Sequence, residues 1–164
     1  MGIHRLVLGV AAALAFAGSA VAAECRSDKV DVRGPWGTAQ FTVELALNPT
    51  DQARGLMFRE SLPRMGGMLF VYPRATELGF WMRNTLIPLD MIFADETGTV
   101  IKVHAEARPG DETVIRSEGD ALSVLEINGG LAERLGIGPG DVIRSPALPQ
   151  DGAAWPCDET ASQG

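Results

Sequence analysis

The chain has 164 residues, with 21 acidic against 14 basic side chains and a formal net charge of -7. That balance argues against nucleic acid and anionic lipid as partners, since both repel an acidic surface. The length suits one domain with a core of its own.

Taken in order, the chain opens with a segment that does not belong to that domain. Met1–Arg5 is basic, Leu6–Ala17 is apolar and Ser19–Ala23 is small, the pattern of a secretory signal peptide over residues 1–23 cleaved after Ala22 or Ala23. The apolar run is too short to span a membrane, so the small residues favour cleavage over an uncleaved anchor. Lipidation of Cys25 is rejected because Glu24 stands where a small residue is required. The expected product is a soluble, exported protein, periplasmic or extracellular, with no stable membrane insertion. Cys25 and Cys157 lie near opposite ends of it. In an oxidising compartment they can pair and tie the termini together, and two free thiols in mobile ends are the competing reading.

Residues 24–39 read as a lead-in and first strand, and 40–145 as a single β-rich domain. Val30 and Val32, then Phe41, Val43, Leu45 and Leu47, alternate with polar or small residues about a turn at Gly34–Gly37, which predicts an antiparallel hairpin. Asn48 or Thr50 can cap a short helix over Asp51–Arg59, within which Gly55 marks close packing or an early end. Gly67–Tyr72 reads as a strand, Pro73–Glu77 as a turn and Leu78–Met82 as another strand. Arg83-Asn84-Thr85 and Pro88 then form a corner before the strand Leu89–Phe93. Asp95–Gly98 joins that strand to Thr99–Ala107 as a hairpin. Ala121–Asn128 is a buried strand interrupted by Glu126, Leu131–Leu135 a short helix ended by Gly136, and Val142–Arg144 a last strand. Residues 146–164 read as a loose tail. Many short strands with two short helices predict a mainly β fold, a compact jelly-roll-like sandwich or barrel.

His104 is the sole histidine after the signal segment, which leaves too few ligands for a zinc site, and no cofactor motif is present. Met57, Met65, Met68, Met82 and Met91 cluster in the middle third. They read first as core filler beside aromatics, and as a Cu(I) site only if three sulfurs converge on one accessible point. No nucleophile elbow or triad is apparent. The remaining candidates are Arg54, Arg59, Trp81, Asn84, Thr85, Asp90 and Glu126. Asp90 and Glu126 each interrupt an apolar strand, so they can serve as paired acid–base groups or be neutralised by the arginines. Phe80 and Trp81 can floor a saccharide site. If Asp90 is buried, its expected donors are Arg54 or Arg59, Asn84, Thr85 and the backbone of the Arg83–Ile87 corner.

These residues also carry a resemblance. Arg54-Gly-Leu-Met-Phe-Arg59, Gly67-Met-Leu-Phe70, Phe80-Trp-Met-Arg-Asn-Thr85 and Pro88-Leu-Asp-Met-Ile-Phe93, followed by Val124-Leu-Glu126, Gly130 and Gly140-Asp141, resemble domain of unknown function family 192 over about Phe41 to Ile143. The resemblance implies a compact β-rich fold of jelly-roll type and frequent export. It brings no activity, cofactor or catalytic residue. The reading that results is a monomeric, non-catalytic domain of the periplasm or cell envelope that binds a small ligand, a saccharide or peptide. The alternatives are an envelope glycan-acting enzyme using Asp90 and Glu126, and Cu(I) binding by methionines.

Overall fold

The computed structural model describes residues 25–158. The expected signal segment, residues 1–23, lies outside the described residues, as does the end of the tail at 159–164. The first alternating runs form β1 (Lys29–Gly34) and β2 (Gly37–Ala46), paired antiparallel with Val30 opposite Phe41. Asn48 caps α1 (Pro49–Arg54) by accepting the Asp51 N–H at 3.0 Å, and Pro49 sits in the first turn, where its missing N–H is not needed. The helix is shorter than expected because Gly55, at φ 48°, ends it; a Cβ on Gly55 would stand 3.2 Å from the Phe70 ring.

The segment beyond α1 crosses over to β3 (Gly66–Phe80), which runs parallel to β2. The turn expected at Pro73–Glu77 is instead an irregularity inside this strand, where pairing lapses between Val71 and Thr76 and then resumes. Proline cannot donate to the ladder, so the strand bulges there without reversing. β4 (Leu89–Ala94) and β5 (Val100–Ala107) make the expected hairpin, and the Asp95 carboxylate accepts the Thr97 and Thr99 N–H groups at 2.9 and 3.0 Å to shape its turn. β6 (Ile115–Asn128) begins earlier than expected, while α2 (Leu131–Leu135) and β7 (Val142–Arg144) fall where the glycines and branched residues place them.

The described strands all join one seven-stranded sheet of order β5-β4-β6-β3-β2-β1-β7. The sheet curls until its edges touch at one point, a bridge between Thr99 and Val142 in which the Ile143 N–H reaches Gly98 O at 2.8 Å. The mainly β class with two short helices is as expected, and the strands form a curled half-barrel rather than a jelly-roll sandwich. β1 lies between β2 and β7 in the sheet.

Alternation gives the sheet two apolar faces. Val30, Phe41, Leu69, Ile92, Leu125 and Ile143 come from different strands and fill the inside of the curl. Phe70, Met82, Leu89, Met91, Phe93 and Val124 form a second cluster on the opposite face. Asp90 is fully buried on the first face. Its carboxylate accepts the N–H groups of Glu106 and Gly130, both at 2.8 Å, and of Ala132 at 2.7 Å. The expectation of burial holds and the expected donors do not: backbone groups of β5 and the start of α2 satisfy Asp90, not Arg54, Arg59, Asn84 or Thr85. The physical reason is register, because Asp90 pairs with Ile127 and so faces inward, away from the Arg83–Ile87 corner.

The tail is not loose over its described part. Trp155 is 5% exposed and lies between the guanidinium groups of Arg33 and Arg144, each 4.1 Å from its ring. Arg144 in turn makes a buried fork onto Asp31, with its nearest contact at 2.8 Å. Cys25 and Cys157 are joined, with their Cα atoms 5.6 Å apart.

Two stability predictions follow from these contacts. Asp90→Ala leaves buried backbone donors without an acceptor, a loss of roughly 3 kcal/mol or more. Asp90→Asn also lowers the melting temperature, because its amide NH₂ opposes an N–H donor; chemical denaturation of both variants measures this. Replacing Cys25 and Cys157 with Ser opens a loop of 132 residues and lowers unfolding free energy by about 4–5 kcal/mol on the chain-entropy scale, read against the oxidised wild type by chemical denaturation.

Candidate functional site

On the second face, α1 and the 81–85 corner stand away from the sheet and leave a cavity of about 320 Å³. β6 sets its floor. Leu125 and Ile127 point into the inner core, so Glu126 points the other way, flanked across the strands by Met68 and Met91. β3 supplies the aromatic wall through Phe70, Tyr72 and Phe80, and Trp81 follows at the rim. Phe80 is fixed by edge-on contacts to Phe70 at 5.1 Å and Phe93 at 5.9 Å. Gln52 locks α1 over the sheet by donating to Val71 O at 2.9 Å and Ala46 O at 3.3 Å, which brings Arg54 to the mouth.

Glu126 is 4% exposed, yet among the described residues its side chain has no hydrogen-bond or ion-pair partner. Burial alone pushes its carboxyl from the ordinary 4.5 up to about 8. At neutral pH it is therefore mostly a neutral acid facing the cavity, able to donate or accept a proton-bearing contact. Burial, and then the nearby Glu126, push the Tyr72 phenol up to about 12. Glu126 is thus a buried acid in a concave aromatic setting, with no described side chain offsetting the cost of its burial.

The structure brings Arg54, Trp81, Thr85 and Glu126 to this cavity. The Thr85 hydroxyl is already donated to Arg83 O at 3.3 Å, and Trp81 is 43% exposed with Arg83 over its ring at 5.4 Å. Arg59 is not in the cavity; it pairs with Glu44 at 2.6 Å beside a neighbouring groove. Asn84 does not line the cavity either. It adopts φ 54°, and its carbonyl accepts the Phe58 N–H at 2.8 Å, so it holds the rim. Asp90 and Glu126 lie on opposite faces of the sheet, which removes the paired-carboxylate arrangement: cross-strand register couples Asp90 to Ile127 and Glu126 to Met91. The methionines do not converge on one open point. Met68, Met82 and Met91 are buried in the second cluster, Met65 packs against the first, and Met57 alone lines the cavity. Among the described residues no group of three or more His, Cys, Asp or Glu is placed to hold a metal. Tyr72 was missed by the sequence reading. The signal for it was present, since Met68, Phe70 and Tyr72 share the parity that faces Glu126.

The model of the family DUF192, "Uncharacterized ACR", matches residues 31–145. The chain belongs to the DUF192 family. This DUF192 domain is similar to a protein of unknown function from Novosphingobium aromaticivorans DSM 12444, whose crystal structure at 1.22 Å superposes with a TM-score of 0.69 at 49% identity over 70% of this chain and 82% of that one. It is also similar to a Sinorhizobium meliloti 1021 protein described as a "putative transcription regulator", with a TM-score of 0.69 at 37% identity over 73% of this chain and 94% of that one. Comparison with curated proteins returned no match.

The raised Glu126 carboxyl makes a signed prediction about pH. The folded DUF192 domain holds a proton on Glu126 that the unfolded chain loses above 4.5, so this contribution to stability is complete below 4.5 and is lost as pH rises through about 8. Glu126→Gln, which mimics the neutral acid, should gain stability relative to wild type across that window, by a few kcal/mol at its alkaline end. Melting temperatures of the pair across the pH range measure it, and a pH-independent difference would refute it.

Proposed function

We propose that this DUF192 protein is an exported, non-catalytic domain of the periplasm or cell envelope that binds a small ligand in the cavity above Glu126. The observation that carries the reading is Glu126 itself, buried in a formed cavity with no side-chain partner among the described residues. Burial of an unsatisfied carboxyl is costly, and a ligand group that completes it recovers part of that cost. The aromatic wall supports recognition of an amphipathic ligand of saccharide or peptide size. The Cys25–Cys157 bond supports an oxidising compartment, in keeping with the signal-like residues 1–23. The regulatory description of the Sinorhizobium protein is not carried over, because a net charge of -7 disfavours a phosphate backbone.

A thermal-shift screen of the purified protein against glycan fragments, short peptides and free amino acids tests this. A ligand of the native cavity raises the melting temperature. The shift should disappear in Trp81→Ala and Glu126→Leu; a shift that survives both substitutions places the ligand elsewhere and overturns the reading.

A further inference from the structure

The polar groups that face the cavity differ in whether the protein already uses them. Gln52 is committed to carbonyls of β2 and β3, and the Thr85 hydroxyl to Arg83 O. Four side chains are left: Trp81 with its indole N–H at the rim, Arg54 from α1, Tyr72 from β3 and Glu126 from β6. The last three are the cavity's titratable groups. The neighbours of Glu126 across β3 and β4 are Met68 and Met91, which carry no charge. Arg54 and Glu126 line the same space of about 320 Å³ without forming an ion pair with each other or with any other described residue. An exposed cation and a buried acid that line one small aromatic cavity without pairing are complementary to a molecule that carries both charges.

We infer that the ligand of this cavity is a small zwitterion, such as a free amino acid or a betaine, with its ammonium group on Glu126 and its carboxylate on Arg54. The inference rests on the cavity being a binding site, as proposed above, and adds the chemical class. A simple organic cation would satisfy Glu126 and be repelled by Arg54. A simple carboxylate would satisfy Arg54 and leave Glu126 unpaired. A neutral sugar would need several fixed donors and acceptors for its hydroxyls, and most of those present are already committed. A zwitterion leaves neither charged group alone. The faces of Phe80, Trp81 and Tyr72 offer the ammonium a further electrostatic attraction, and the Arg54 guanidinium can fork onto a carboxylate.

Pairing converts Glu126 from its neutral to its ionised form, so the carboxyl proton passes to the buffer as the ammonium arrives and charge is conserved. Binding should therefore release a proton at pH values below about 8 and cease to do so above it.

The test is isothermal titration calorimetry of the intact protein, in buffers of different ionisation enthalpy, with four kinds of probe. These are phenylalanine and glycine betaine as zwitterions, phenethylamine without the carboxylate, phenylpropionate without the amine, and glucose. The expected result is zwitterion binding with release of about one proton per site below the Glu126 pKa. Each single-charge analogue should bind about tenfold or more weaker. Glu126→Gln should abolish the proton release. Arg54→Gln, a change at an exposed position outside both cores, should weaken zwitterions to the level of phenethylamine while leaving the melting temperature unchanged. Zwitterion binding without proton release, or single-charge analogues that bind as tightly as zwitterions, overturns the inference. Glucose or another non-zwitterion binding in a manner abolished by Trp81→Ala overturns the zwitterion class and leaves the cavity reading standing. Failure of every probe, together with a ligand-free screen, overturns both.

Discussion

Asp90 is a carboxylate enclosed by the inner core, with three backbone N–H groups as partners drawn from β5 and from the start of α2. Such a group is tolerated in an apolar interior only because every contact is a charge-assisted hydrogen bond. Its position also fixes register. Asp90 sits opposite Ile127, which sets Met91 opposite Glu126 and so decides which face of β6 carries the acid. A slip of a single residue would exchange the two faces and drive Glu126 into the inner core. The cavity on one side of the sheet is thus specified by a polar anchor on the other.

The two buried carboxyls show how differently one chemical group can be used. Asp90 is satisfied by three backbone donors; Glu126 is flanked by methionine and aromatic side chains and has no donor among the described residues. The first holds the structure together. The second lowers stability at neutral pH, because its burial is not offset by a partner. The walls around Glu126 are set by the fold itself: Phe80 is held between two other rings, and Gln52 fixes α1 over the sheet.

Much of the fold was legible. Alternation at Val30–Val32 and Phe41–Leu45, the turn at Asp95–Gly98 and the glycines around Leu131–Leu135 are local signals with local causes, and each element lies where those causes put it. The continuity of β3 through Pro73 was not legible, because proline ordinarily breaks a ladder and only a long partner, β6, lets pairing resume beyond it. Candidate site residues were legible as a set and not as an arrangement. Arg54, Trp81, Thr85 and Glu126 converge, whereas Arg59, Asn84 and Asp90 do not, since strand pairing between distant segments decides which face a residue takes. The tail misled for a similar reason: Pro-, Ala- and polar-rich composition reads as loose, and the stacking of Trp155 between Arg33 and Arg144 depends on partners far away in sequence.

The bond between Cys25 and Cys157 has a topological consequence beyond its effect on folding free energy. It turns nearly the whole described chain into a covalent ring. A single cut in an exposed loop, such as the bulge at Pro73–Ala75, would then yield one two-ended molecule rather than two fragments. Tension applied at the chain ends would pass through sulfur and not through the sheet. A domain built this way keeps its two halves joined after such a cut, with the first and last strands still held beside each other.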